Sequence, residues 1–168
     1  MGESAKGNNA FDLQRFLSAQ EGVDERACGE LAAGRKQSHW VWFVLPQMRG
    51  LGSSPTAERF GIVSLAEATA YVAHPVLGPR LRHAAELLLG VEGRTANEIM
   101  GFPDDLKLRS SMTLFAGATV DKKVFVEILD RYFCGEEDAA TLQLIGMNSQ
   151  ARDSARDSGG RICARDMP

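Results

Sequence analysis

"SHWVWFVLPQMRGLGSSP", residues 38 to 55, is the stretch on which the fold turns. The run from Trp40 to Leu45 is aromatic and β-branched, and propensity alone reads it as a buried strand. Helical spacing fits equally, with His39, Trp42, Phe43 and Pro46 on one face. A lone strand among helices would leave its ladder hydrogen bonds unmade. The stretch is therefore expected to be a buried helix ended by Pro46. On such a helix Trp40 and Trp42 point about 200° apart. Both face a core only if the helix is buried all round. Otherwise one of them lines a pocket and can stack on a planar ligand, while the core takes the other.

The flanking sequence is helical in pattern. "FDLQRFLSAQ" places Leu13, Phe16 and Leu17 on one side. Asp24 is placed to cap a helix that carries Ala27, Leu31 and Ala32 inward and stops at Gly34. Downstream, Ser64 with Glu67 and Thr95 with Glu98 have the spacing of capping boxes. "VLGPRLRHAAELLLG" carries Leu77, Leu81, Ala84, Ala85 and Leu88 on one stripe. Pro103 and two aspartates read as the first turn of another helix. Asp121 is placed to cap "KKVFVEILDRYF", with Val124, Ile128, Leu129 and Tyr132 inward, and "DAATLQLI" is a last short helix.

Composition sets the outer bounds. The chain has 168 residues, 44% hydrophobic and 24% charged, as expected of one globular domain with its own core. Its net charge of −3 gives no field that favours nucleic acid or an anionic membrane. No apolar run approaches the roughly 20 residues needed to span a bilayer, and the N-terminus has no secretory pattern. Cys28, Cys134 and Cys163 form no close pair, which points to reduced thiols and a cytoplasmic protein. Zinc spacing is absent, and no metal or cofactor is expected. Residues 1–9 and the polar tail 147–168 are expected to be disordered, leaving a single helical domain at 10–146.

The catalogued motifs fail. "GLGSSP" lacks the third glycine of a dinucleotide fingerprint. Its backbone amides suit an anion, but Ser54 before Pro55 fits a plain helix cap, which is the favoured reading. Two clusters carry more. The first, "GRKQSHWVW", sets Arg35 and Lys36 after a helix end, where cations meet the negative dipole, and then His39, Trp40 and Trp42. The second, "PDDLKLRSSMTLF", interleaves Asp104, Asp105, Lys107, Arg109, Ser110, Ser111 and Thr113 with apolar residues. A helix with that pattern buries polar groups, which then join an internal network or face a polar cleft. Asp105 and Arg109 also have the i,i+4 spacing of an ordinary helix ion pair.

Four blocks occur in order: "FDLQRFLSAQ", "GRKQSHWVWFVLPQMRGLGSSPTAERFGI", "SLAEATAYVAHPVLGPRL" and "DDLKLRSSMTLFA". Together they resemble the bacterial family called domain of unknown function 1810, often labelled calpastatin, from about Phe11 to Ile145. The resemblance implies a single, mainly α-helical domain with α-horseshoe-like orthogonal helix packing. It implies no biochemical function, and the calpastatin label belongs to long disordered inhibitors, unlike this compact pattern. Asp24 and Cys28 stand where the family usually has an aromatic and a larger aliphatic residue.

Chemical fit points to a site for a small anionic ligand, such as a nucleotide or an ADP-ribose-like molecule, built between the two clusters. Trp40 or Trp42 supplies a stacking face, and Arg35, Lys36, Lys107 and Arg109 hold the anion. Gln47 and Ser110 add hydrogen bonds. Should the protein be an enzyme, His39 and Asp105 are the acid/base pair of a hydrolase or transferase. The alternative is a protein-interaction module that presents the aromatic cluster on its surface.

Overall fold

Ten helices and no strand make up the described part of the chain, residues 11–146 of a computed structural model. The expected disorder at 1–9 and 147–168 concerns residues outside that range. In chain order the helices are α1 (Gln14–Gln20), α2 (Asp24–Ala32), α3 (Val41–Val44), α4 (Pro55–Phe60) and α5 (Leu65–Ala73). They continue with α6 (Leu77–Leu89), α7 (Ala96–Met100), α8 (Asp104–Ala118), α9 (Lys123–Phe133) and α10 (Ala139–Leu144). The fold is mainly α, and none of the described helices is long and apolar enough to cross a membrane.

Local chemistry sets most helix starts. The hydroxyls of Ser54, Ser64 and Thr95 each accept an amide three residues on, and Pro55 occupies N1 of α4. Thr95 and Glu98 close a complete capping box. Ser64 makes only half of one, because the Glu67 carboxylate accepts from Val63 N and from Arg15 instead. Two expected caps fail. α2 starts after Val23, so Asp24 lies in its first turn, where its charge still favours the dipole. α9 starts after Lys122, and Asp121 is exposed beside Arg82. Gly34 does end α2. At φ +70° it supports Gly34 N→Leu31 O and Arg35 N→Glu30 O bonds, a Schellman pair. The stop leaves Ala32 exposed, against expectation.

The deciding stretch is helical but lasts only one turn. α3 stops because Leu45 leaves helical geometry before Pro46. Side chains take over its end: Gln20 Nε2 and Tyr71 Oη both donate to the Phe43 carbonyl. The buried set is Trp40, Val41, Val44, Leu45 and Pro46. His39 is exposed and Trp42 and Phe43 are half-buried, so the expected shared face is split. After Pro46 the chain makes the one isolated parallel bridge described, Met48 to Ile62.

α8 is the centre of the core, packed on α5, α7, α9 and α10. Nine of its fifteen residues are buried, so its polar groups need internal partners. Ser110 Oγ donates back to Leu106 O and Thr113 Oγ1 to Arg109 O, and Thr113 also accepts from Asp138 N. Ser111 Oγ has no partner among the described residues. A relay of rings, Phe60–Phe16–Tyr71–Phe115–Phe125, runs through the core with centroids 5.0–6.0 Å apart. Cys28 is a half-buried free thiol, its pKa raised first by burial. Cys134 is disulfide-bonded, in contrast to the expected reduced thiols. It sits in the left-handed C-cap of α9.

Candidate functional site

The two sequence clusters do meet, through ion pairs. Lys36 Nζ lies 2.7 Å from Asp104 Oδ2, and Lys107 Nζ lies 3.0 Å from Asp104 Oδ1. Burial alone would raise the Asp104 pKa, but hydrogen bonds and charges from Lys36 and Lys107 outweigh it and lower the value. Lys107 also stands over the Trp42 ring, 3.6 Å from its centroid, and Lys36 over Trp40 at 5.3 Å. Trp40 itself is fully buried. Its indole N–H donates to Glu30 Oε2 at 2.6 Å, and the same carboxylate takes the amides of Gln37 and Ser38 and the Ser38 hydroxyl.

This cluster is satisfied from within. Trp40 has no free face for a ligand, and the Trp42 face on that side is covered by Lys107. The other expected members scatter. Ser110 is buried and spends its hydroxyl on Leu106 O. Gln47 sits beside the loop, its Nε2 about 4.0 Å from where a Gly52 Cβ would be, and its carbonyl accepts from Ile62 N. Arg35 and His39 are exposed. Ser54 caps α4, so the "GLGSSP" loop acts as a helix start.

Asp105 and Arg109 face elsewhere, into a cleft of about 610 Å³ between the start of α7, the first turns of α8 and the end of α9. Arg94 and Arg131 join Arg109 there, and Asp105 is the one carboxylate among the lining residues. Arg109 and Arg131 are held mainly by neutral groups. Arg109 donates through Nε to Glu136 O (3.1 Å) and through Nη2 to Glu137 O (2.9 Å). Arg131 holds the end of α6, donating to Leu89 O and to Val91 O, the latter at 2.7 Å. Tyr132 Oη adds a bond to Leu88 O at 2.5 Å. Carbonyls orient a guanidinium without cancelling its charge. The Glu136 carboxylate is 3.5 Å from Arg109 and more than half exposed, so it offsets little. Arg94 is exposed and has no polar partner among the described residues.

A second concavity shows why charge decides. The groove along α1 and α4 is also rich in arginine, with Arg15, Arg49 and Arg59. Asp12, Glu58 and Glu67 line it too, and Arg15 is paired with Glu67 at 2.6 Å. Positive and negative groups balance there, whereas the α7–α8–α9 cleft has three cations against one anion.

Asp105 and Arg109, named from the sequence, line this cleft, together with Arg94, Asn97 and Arg131, which were not named. Arg131 stands in the last turn of α9, where a cation is ordinary, and its reach to α6 is a tertiary contact that spacing does not show. The usable signal for Arg94 and Asn97 was the capping box at Thr95, which marks a fixed loop-to-helix junction. Asn97 Nδ2 donates to Asp105 Oδ2 at 3.3 Å and ties that junction to α8. Among the described residues no three His, Cys, Asp or Glu side chains gather as metal ligands.

The sequence family described as Protein of unknown function (DUF1810) matches residues 10–145. The chain is similar to a solved structure, the conserved hypothetical protein Rv1873 from Mycobacterium tuberculosis. The two share 54% identity with a TM-score of 0.81, over 83% of this chain and 100% of that one. No curated protein matches.

Proposed function

The chain belongs to the DUF1810 family, and from the cleft that its Asp105 and Arg109 line we propose that it binds a small anionic ligand of the nucleotide or ADP-ribose-like kind. One observation carries this reading: Arg94, Arg109 and Arg131 converge on a single cleft whose lining includes one carboxylate. Guanidinium groups held by neutral carbonyls are preorganised for phosphate or carboxylate. A volume of about 610 Å³ falls in the range of small-molecule sites. Leu106 and Phe133 supply apolar wall for a base or sugar.

Were the ligand turned over, the acid/base role would fall to Asp105, since His39 is not among the lining residues. The alternative of an interaction surface built on the aromatic cluster finds less support, because Trp40 is fully buried. A thermal-shift panel of nucleotides, ADP-ribose and sugar phosphates tests the proposal. It predicts stabilisation by members of the panel that Arg109→Ala and Arg131→Ala each reduce and that rising salt weakens. No stabilisation by any member, or stabilisation that both variants leave intact, refutes it.

A further inference from the structure

Resting on that reading of the cleft, we infer that its ligand is a phosphate ester with free hydroxyls, of the sugar-phosphate class, and that Asp105 is the residue that selects for those hydroxyls. The polar groups of the cleft are segregated by type. The arginines offer only donors. Arg109 spends Nε on the Glu136 carbonyl and Nη2 on the Glu137 carbonyl and the Glu136 carboxylate and keeps Nη1, Arg131 keeps Nε, and Arg94 has no polar partner among the described residues. Such a donor set fits the three terminal oxygens of a phosphate monoester.

The α7–α8 junction offers the opposite. Asp105 Oδ1 accepts from Leu106 N at 2.9 Å, and Oδ2 accepts from Asn97 Nδ2 at 3.3 Å. Each oxygen retains a second lone pair, and Asn97 Oδ1 takes no bond among the described residues. Asp105 stands one helical turn from Arg109 on α8, so both ends of the site belong to one rigid element. A carboxylate so close to a bound phosphate repels it unless the ligand brings a donor for the carboxylate. A ligand ammonium would satisfy Asp105 but would meet three guanidinium charges. A hydroxyl donates to Asp105 without adding charge. A vicinal pair of hydroxyls can meet Asp105 and Asn97 together.

The test is isothermal titration of ribose 5-phosphate and n-propyl phosphate, which share the phosphate and differ in hydroxyls. Wild type is expected to bind ribose 5-phosphate at least about tenfold more tightly, as hydrogen bonds to a charged group warrant. Asp105→Ala is expected to bring the two affinities within about twofold to threefold while leaving n-propyl phosphate bound. Asp105→Asn, which keeps the shape of the helix start, should give an intermediate preference. Equal affinity of the two esters for wild type, or a preference that survives Asp105→Ala, overturns the hydroxyl assignment and leaves the anion site standing. Tighter binding of O-phosphoethanolamine than of ribose 5-phosphate also overturns it. Failure of every phosphate ester to bind wild type removes both the assignment and the site on which it rests.

Discussion

Lys36 Nζ sits 2.7 Å from Asp104 Oδ2, joining the segment after α2 to the first turn of α8. The Lys36 amide also donates to Ile99 O in α7 at 2.7 Å. One residue thus ties together both helices that form one wall of the cleft. The Lys36 side chain is only 6% exposed, so its charge depends on Asp104. Removing the carboxylate strands two lysines, and loss of one partner of a buried pair costs about 3 kcal/mol. Asp104→Leu is predicted to lose about that much stability in urea unfolding. Adding Lys36→Met to Asp104→Leu is predicted to restore part of it, giving a non-additive double-mutant cycle. Simple additivity would show that the pair does not hold the wall.

Acid should loosen the structure in a defined window. Burial alone would raise the Glu30 pKa, but bonds from Ser38, Gln37 and Trp40 hold it at about 2, below the ordinary 4.5. A carboxyl with a depressed folded pKa stabilises fully above its unfolded pKa and loses that contribution as pH falls through the folded one. Stability is therefore predicted to drop between about pH 4.5 and 2, with Asp104 contributing in the same direction. Glu30→Gln should flatten that drop in melting curves across the range. A variant as acid-sensitive as wild type would contradict the assignment.

Trp40→Phe isolates one bond of the same network. It keeps most of the buried aromatic surface but withdraws the indole donor from Glu30. Glu30 is half-buried and keeps its bonds from Gln37 and Ser38, so what is lost is one hydrogen bond, worth about 1 kcal/mol. The expected loss is of that size in chemical denaturation. A neutral effect would show that Glu30 is satisfied without Trp40.

Two glycines should respond oppositely to alanine. A Cβ on Gly78 would overlap the Val72 carbonyl oxygen, where α5 and α6 meet at close range. Gly78→Ala is predicted to destabilise by about 3 kcal/mol or more, since backbone cannot yield as a side chain can. Gly29 is exposed inside α2 with nothing within 4 Å of its would-be Cβ. Gly29→Ala is predicted to stabilise by about 0.5–1 kcal/mol. Thermal unfolding of both variants checks the pair, and equal signs would contradict the packing described for α5 and α6.

The parts of this fold that were legible in the sequence are local. Ser54, Thr95 and Gly34 act within a few residues of themselves, so their roles follow from spacing alone. The helical reading of Trp40 to Leu45 also held, but its buried face did not follow from periodicity. The reason is Glu30, ten residues upstream, which accepts the indole N–H hydrogen bond of the inward-facing Trp40. Asp121 misled for the same kind of reason, because Arg82 on α6 lies beside it. For the proposed site, "PDDLKLRSS" contributes Asp105, Leu106 and Arg109 to the cleft lining, but one helix sends Lys107 and Arg109 to different neighbours. Lys107 goes to Trp42 and Arg109 to the carbonyls before α10, and no count of polar residues separates the two.

The most direct test of the proposed cleft is a residue-resolved titration. Backbone amide NMR signals of the full chain would be followed while AMP is added. The account predicts saturable shifts at Arg94 to Asn97, Asp105 to Arg109 and Arg131 to Phe133, with Arg131→Ala weakening them together. Shifts centred on Arg49 and Arg59, or no saturable shifts at all, would contradict it.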